Sequence, residues 1–125
     1  MKLAELKNGV CAVIAEKTCI QMVQSCNHAF DFGADLVELR LDFLQEEYSI
    51  AEILKNITGP TLVTIRRKID GGLWEKDEQS RINILIQAQK SGAHAIDVEA
   101  DCFHNFSTSN DCLRILSYHN FAQTP

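Results

Sequence analysis

The residues best suited to chemistry lie two apart within short apolar runs. Glu38, Arg40 and Asp42 alternate with Val37, Leu39, Leu41 and Phe43. Thr64 with Arg66, Asp97 with Glu99, and Ser117 with His119 repeat the arrangement further along the chain. Side chains alternate across a strand, so each set falls on one face of its strand. Arg40 and Arg66 supply permanently charged guanidinium forks that match a carboxylate or phosphate. His119 changes protonation near neutral pH, which fits it for proton transfer. The chemistry these residues suggest is an anionic substrate held by arginines and worked on by a histidine acid/base.

The elements that must position them follow from two alternating periodicities. Val10 to Ala15 is a short apolar run that predicts a first strand, and Thr18 with Gln21 predicts a capping box that opens a helix ending near Gly33. A second strand is expected from Leu36 to Phe43. Ser49 and Glu52 form another capping box, Ile50, Ile53, Leu54 and Ile57 share a helical face, and Gly59-Pro60 stops the helix. A third strand should run from Thr61 to Arg66, followed by a polar loop from Arg67 to Lys76. Asp77 then opens a helix with Ile82, Leu85, Ile86 and Gln89 along one side and Gly92 as its C-cap. Strand four is expected from Ala95 to Ala100 and strand five from Leu113 to His119. The linker between them, Asp101 to Cys112, has room for a turn or two of helix.

Strand and helix in alternation at this pitch define an α/β protein built of βαβ units around a parallel sheet. Five strands fit either an open doubly wound sheet or the first part of a (β/α)8 barrel. No Gly-x-Gly-x-x-Gly follows the first strand, so a dinucleotide fold lacks its main support. Strands of a parallel sheet are covered on both faces and normally read as apolar runs. Charges on such strands therefore point inward and need partners, and Glu38 and Arg40 can serve each other or neighbouring strands. In a barrel the carboxyl ends of the strands converge on the mouth, where active sites are built.

Bulk properties narrow the function classes. The chain has 125 residues, a formal charge of −5 and no lysine or arginine cluster longer than Arg66-Arg67-Lys68. Phosphate-backbone binding relies on a basic surface, so nucleic acid is not an expected partner. No segment approaches the roughly 20 apolar residues of a membrane span, and the first residues have no apolar run of signal-peptide length. A cytoplasmic protein without membrane contact is the expectation. The cysteines at 11, 19, 26, 102 and 112 are odd in number and lack Cys-x-x-Cys spacing, which predicts reduced, mostly buried thiols and no zinc site.

Three segments in order resemble the type I 3-dehydroquinate dehydratases. They are Glu38-Leu39-Arg40-Leu41-Asp42, Thr64-Ile65-Arg66 with Asp70-Gly71-Gly72, and Ser117-Tyr118-His119-Asn120-Phe121 ending in Thr124-Pro125; Ile96-Asp97-Val98-Glu99 is similar to the family's fourth strand. The resemblance implies a (β/α)8 barrel of which residues 1–125 are the N-terminal part of a single domain with about the first five strands. It implies a hydro-lyase of the shikimate pathway that converts 3-dehydroquinate to 3-dehydroshikimate, usually as a homodimer, with no metal and no organic cofactor. In that family the substrate carbonyl condenses with a lysine, the iminium acidifies the adjacent C–H, and a histidine moves the protons. Carried over by position, His119 is the acid/base and Glu38, Arg40 and Arg66 contact the substrate. Asp70 and Glu99 are supporting residues, Asp70 standing where the family usually has a histidine-orienting glutamate. Val13 falls roughly where some members have a substrate-binding serine.

The family's Schiff-base lysine belongs to the strand after the histidine strand, whereas the last lysine here is Lys90. Lys68 shares strand parity with Arg66 but falls in a loop, and an exposed amine is protonated at neutral pH. The resemblance therefore implies that the remainder of the barrel is needed and that the isolated chain is inactive. Two other readings stay open: a non-catalytic remnant that keeps the anion-binding arginines, and a metal-dependent barrel enzyme acting on sugars through Asp97, Glu99 and His119. Five strands of an open barrel leave raw edges and an uncovered interior, so the isolated chain should be poorly soluble or self-associate. Size-exclusion chromatography with light scattering checks this, and a monodisperse, cooperatively unfolding monomer would speak against it.

Overall fold

In a computed structural model, residues 9–106 and 112–117 are described. Five strands, β1 (Cys11–Ile14), β2 (Leu36–Arg40), β3 (Thr61–Thr64), β4 (Ala95–Glu99) and β5 (Leu113–Ser117), form one sheet. Three helices, α1 (Cys19–Asp31), α2 (Ile50–Lys55) and α3 (Glu78–Lys90), connect the first four strands. Every neighbouring pair is parallel and the strands lie in sequential order from β1 to β5. Sequential order sends each crossover over the same face, whereas a doubly wound sheet must reverse its order to place helices on both faces. The order thus decides for barrel-type winding.

The two sides of the sheet differ as that winding requires. On the helix side, Ile14, Val37, Leu39, Val63, Ile96 and Val98 join Met22, Cys26, Ile53, Leu54, Ile82 and Leu85 in one continuous core. On the other side a smaller cluster of Leu36, Leu62 and Ala95, with Leu113 and Ile115 against it, fills the amino-terminal half of the inner face. Two residues further along the same strands the inner face becomes polar. An apolar floor under a polar upper layer is what the alternation in the sequence demanded.

The caps form where expected. Thr18 Oγ1 accepts from Gln21 N at 3.2 Å, Ser49 Oγ from Glu52 N at 3.4 Å, and Asp77 Oδ2 from Ser80 N at 3.0 Å. Gly33 and Gly92, at φ 103° and 100°, sit just past α1 and α3, in the left-handed conformation that ends a helix.

Several boundaries differ from the sequence reading. The second strand stops at Arg40 because residues Leu41–Phe43 turn into a 3-10 helix, fixed by the Arg40–Asp42 fork. The third stops at Thr64 and the fourth at Glu99, where a 3-10 segment (Ala100–Asn105) begins. The buried stripe of α3 is Arg81, Ile82, Leu85 and Ala88, rotated from the expected Ile82, Leu85, Ile86 and Gln89. An arginine takes the place that hydrophobicity would assign to an aliphatic residue. Of the cysteines, Cys26, Cys102 and Cys112 are buried and Cys11 is exposed.

Leu39 has no exposed surface and packs between β2 and the helices. Leu39→Ala should cost about 2–5 kcal/mol, the usual range for a fully buried leucine. Urea denaturation of the two proteins compares them.

Candidate active site

The polar upper layer of the inner face is a row of two hydrogen-bonded groups side by side. Glu38 on β2 accepts from Thr64 Oγ1 on β3 at 2.8 Å. Arg66, two residues beyond Thr64 in the strand alternation, places Nη2 2.6 Å from Asp97 Oδ2 on β4 and Nη1 3.5 Å from Ser117 Oγ on β5. Ser117 donates in turn to the other Asp97 oxygen. Thr64, Asp97 and Ser117 thus link four adjacent strands through Glu38 and Arg66. The partners come from adjacent strands or, for Arg66 and Ser117, from across β4, which is how a covered parallel sheet satisfies charge on its inner face.

Arg40 is placed differently. Its Nε and Nη2 fork onto Asp42 at 3.0 and 2.8 Å, and its guanidinium lies 5.1 Å from the Phe43 ring centre. Asp42 also accepts from Leu73 N at 3.1 Å. Leu73 belongs to the loop after β3, so that bond ties the position of Arg40 to the loop. The loop itself folds back on β3: Trp74 N donates to Arg66 O, Gly72 N to Arg67 O, and Lys68 N to Trp74 O. A Cβ on Gly72 would collide with the Arg66 carbonyl oxygen and side chain, so only glycine lets the loop come this close to the site arginine.

Behind the row lies a second charged network that the sequence reading missed. Arg81 on α3 has no exposed surface and is the largest fully buried side chain among the described residues. Its Nε and Nη2 meet Glu78 at 2.7 and 2.8 Å, and Nη1 lies 3.0 Å from the Ile65 carbonyl and from both Glu99 oxygens. Arg67 extends the network, with Nε 2.7 Å from Asp70 and its terminal nitrogens 3.0 Å from Asp101. The signal in the sequence was slight: Glu78 and Arg81 stand three apart on a helix, a spacing normally read as a solvated surface pair.

The sequence-predicted residues therefore divide. Glu38 and Arg66 join the inner row, and Arg40 stands beside it with Asp42. Asp70 lies in a 3-10 turn (Lys68–Asp70) and bonds to Arg67. Glu99 shares strand parity with Asp97, yet its carboxylate turns to Arg81 while Asp97 goes to Arg66. Those two carboxylates are thus engaged by different arginines, and among the described residues no group of three or more His, Cys, Asp or Glu is disposed to hold a metal. Lys68 pairs with Glu75 at 2.6 Å with 70% of its side chain exposed, and that bond raises its pKa, so the amine is held protonated. Val13, level with Glu38 in the β1–β2 register, is 59% exposed. His119 lies outside the described residues.

A parallel sheet wound in one direction, with helices on one side and charged groups at the carboxyl strand ends on the other, defines part of a β/α barrel. The chain belongs to the type I 3-dehydroquinase family, whose model matches residues 10–125. It is 34% identical over 125 residues to 3-dehydroquinate dehydratase of Methanothermobacter thermautotrophicus, covering 96% of this chain and 56% of that protein. It is 37% identical over 125 residues to the chloroplastic bifunctional 3-dehydroquinate dehydratase/shikimate dehydrogenase of Arabidopsis thaliana, covering 93% of this chain and 21% of that protein. The solved 3-dehydroquinate dehydratase of Enterococcus faecalis superposes with a TM-score of 0.75 at 21% identity, over 93% of this chain and 55% of that one, a likeness of fold. The chain thus spans about half the length of the single-function relatives it matches.

The carboxylates of the outer network respond to pH in opposite senses. Hydrogen bonds from Arg81 hold Glu78 below the usual carboxylate range, and those from Arg67 do the same for Asp101, whereas burial pushes Glu99 up. Stability from Glu78 and Asp101 is present above their unfolded pKa and is lost as pH falls through the depressed folded values. That from Glu99 runs the other way, complete below its unfolded pKa and lost as pH rises through the folded value. Glu78→Gln should therefore flatten the loss of stability between about pH 5 and pH 3, as measured by urea midpoints across that range.

Proposed function

We propose that this chain is the N-terminal part of a barrel that removes water from 3-dehydroquinate to give 3-dehydroshikimate, a hydro-lyase reaction. The observation that carries the reading is the inner row itself, Glu38–Thr64 beside Arg66–Asp97–Ser117 at the carboxyl ends of four successive strands, in a chain of the type I family. The relatives bearing that activity in their names support it.

In this reading Arg66 and Arg40 bind the anionic substrate and Glu38 accepts from its hydroxyl groups. His119, two residues past Ser117 in the strand alternation, takes the proton from the carbon next to the iminium and returns one to the departing hydroxyl. Asp70 and Glu99 support the site from behind it. The iminium needs a lysine from the rest of the barrel, since the amine of Lys68 is tied up with Glu75. Charge balance points the same way. Within the described row Arg40 and Arg66 face three carboxylates, Glu38, Asp42 and Asp97, so an anion is held firmly only when further positive charge joins it. A lysine iminium would supply it, with His119 neutral and ready to take the proton.

The proposal includes a cytoplasmic homodimer working without metal or organic cofactor, parts that rest on the resemblance. Among the described residues no helix is long and apolar enough to cross a membrane.

The reading is tested in a polypeptide that supplies the rest of the barrel. His119→Ala should lower kcat by about 10²- to 10⁴-fold, the usual worth of a positioned acid/base. Arg66→Ala should chiefly raise KM, with a smaller loss in kcat. Steady-state dehydration, followed by the absorbance of the conjugated product, checks both. Normal turnover without His119 would remove it from the mechanism.

A further inference from the structure

The β3–β4 ladder is the shortest in the sheet. It pairs Leu62 with Ala95 and Val63 with Ile96 and then ends, whereas β2–β3 continues to Arg40 and Thr64 and β4–β5 to Glu99 and Ser117. Ile65, just past the end of β3, is buried, and its carbonyl needs a donor that the ladder does not provide. Arg81 Nη1 is that donor, at 3.0 Å. The same nitrogen reaches both oxygens of Glu99, at the carboxyl end of β4. One guanidinium therefore joins the tops of two strands that no longer bond to each other.

The remaining donors are also taken. A guanidinium has five N–H groups, and the acceptors around Arg81 are Glu78 Oε1 and Oε2, Ile65 O, the Glu99 carboxylate and, at 3.5 Å, Cys102 Sγ. No other side chain has this planar fork: lysine would bring three donors from a single point. The residue after Ile65 is Arg66, and the strand Glu99 belongs to also carries Asp97, the partner of Arg66. Arg81 thus holds the backbone just before Arg66, through the Ile65 carbonyl, and the Glu99 side chain two residues beyond Asp97.

We propose that Arg81 is a positioning residue for the anion site: by holding the Ile65 carbonyl and Glu99 together, it fixes where Arg66 presents its guanidinium to the substrate. This rests on the reaction proposed above. Arg81 acts through Arg66, so its loss should appear as weaker substrate capture and should disappear once Arg66 is gone.

The experiment measures kcat and KM for four proteins, each made with the rest of the barrel: the parent, Arg81→Lys, Arg66→Ala and the double variant. Far- and near-ultraviolet circular dichroism checks that each is folded. The expected result is a KM for Arg81→Lys raised by about 10- to 100-fold, the scale at which small misplacements act, with kcat changed much less. In the Arg66→Ala background the same substitution should leave KM within about twofold, because coupled residues lose their effect when the partner is absent. An unchanged KM in Arg81→Lys, or an equal KM penalty in both backgrounds, would overturn the inference. If Arg81→Lys does not fold, Glu99→Gln replaces it in the same four-protein comparison, with the same two outcomes deciding. An inactive parent would instead defeat the assigned reaction, a result separable from either failure of Arg81.

Discussion

A parallel barrel sheet opens toward its mouth, and the backbone groups stranded where a ladder ends must be satisfied without bulk water. In this chain the burden falls between β3 and β4, and it is met by one guanidinium. Arg81 is buried without exposure among Glu78, Glu99 and the Ile65 carbonyl, in a position where a helix facing a sheet would ordinarily place leucine. Removing one partner of such a cluster leaves an uncompensated buried charge, which is far costlier than the cluster is stabilising. The arrangement is therefore hard to alter piecemeal. It also locks the start of the loop after β3 to the end of β4, so the site in front of it inherits a rigid back wall.

The inner row depends on that wall. Arg66 reaches across to Asp97 and Ser117 from a backbone held on one side by Arg81 and on the other by Trp74, whose N–H bonds to the Arg66 carbonyl. Gly72 permits that approach, since any larger residue would strike Arg66. Through Leu73 and Asp42 the same loop also reaches Arg40. Two arginines from different strands are thereby coupled through one loop. For an anion-binding mouth this matters more than either arginine alone, because bidentate recognition fails when the forks are misaimed.

Among the described residues β1 and β5 each pair on one side only, and Leu116 on β5 is 57% exposed on the side the helices cover elsewhere. Matched over about half the length of its single-function relatives, the chain presents one wall of a site. That wall carries Arg40 and Arg66, the groups proposed to hold and orient an anion. The covalent chemistry proposed for the reaction needs an amine, and Lys68, the lysine nearest Arg66 in the sequence, is paired with Glu75 in solvent.

Much of the fold was legible in the sequence. The βαβ alternation, the three caps at Thr18, Ser49 and Asp77 and the inward parity of Glu38, Arg66 and Asp97 are local properties, fixed by the periods of strand and helix and by the chemistry of capping side chains. The local pattern alone left winding open, since five strands fit both an open doubly wound sheet and a barrel; the resemblance pointed to the barrel, and the sequential order with all helices on one face agrees with it. The strand end expected at Phe43 falls at Arg40 instead: Leu41–Phe43 form a 3-10 turn in which Asp42 takes both the local fork from Arg40 and a long-range bond from Leu73 N, and only the second of these depends on the tertiary structure. Arg81 was missed because a charged residue beside an apolar stripe reads as surface until one knows that a strand ladder ends opposite it. Which residues could carry charge inward was written in the chain. Which partner each charge found, Asp97 with Arg66 and Glu99 with Arg81, was decided by the packing of strands and helices far apart in sequence.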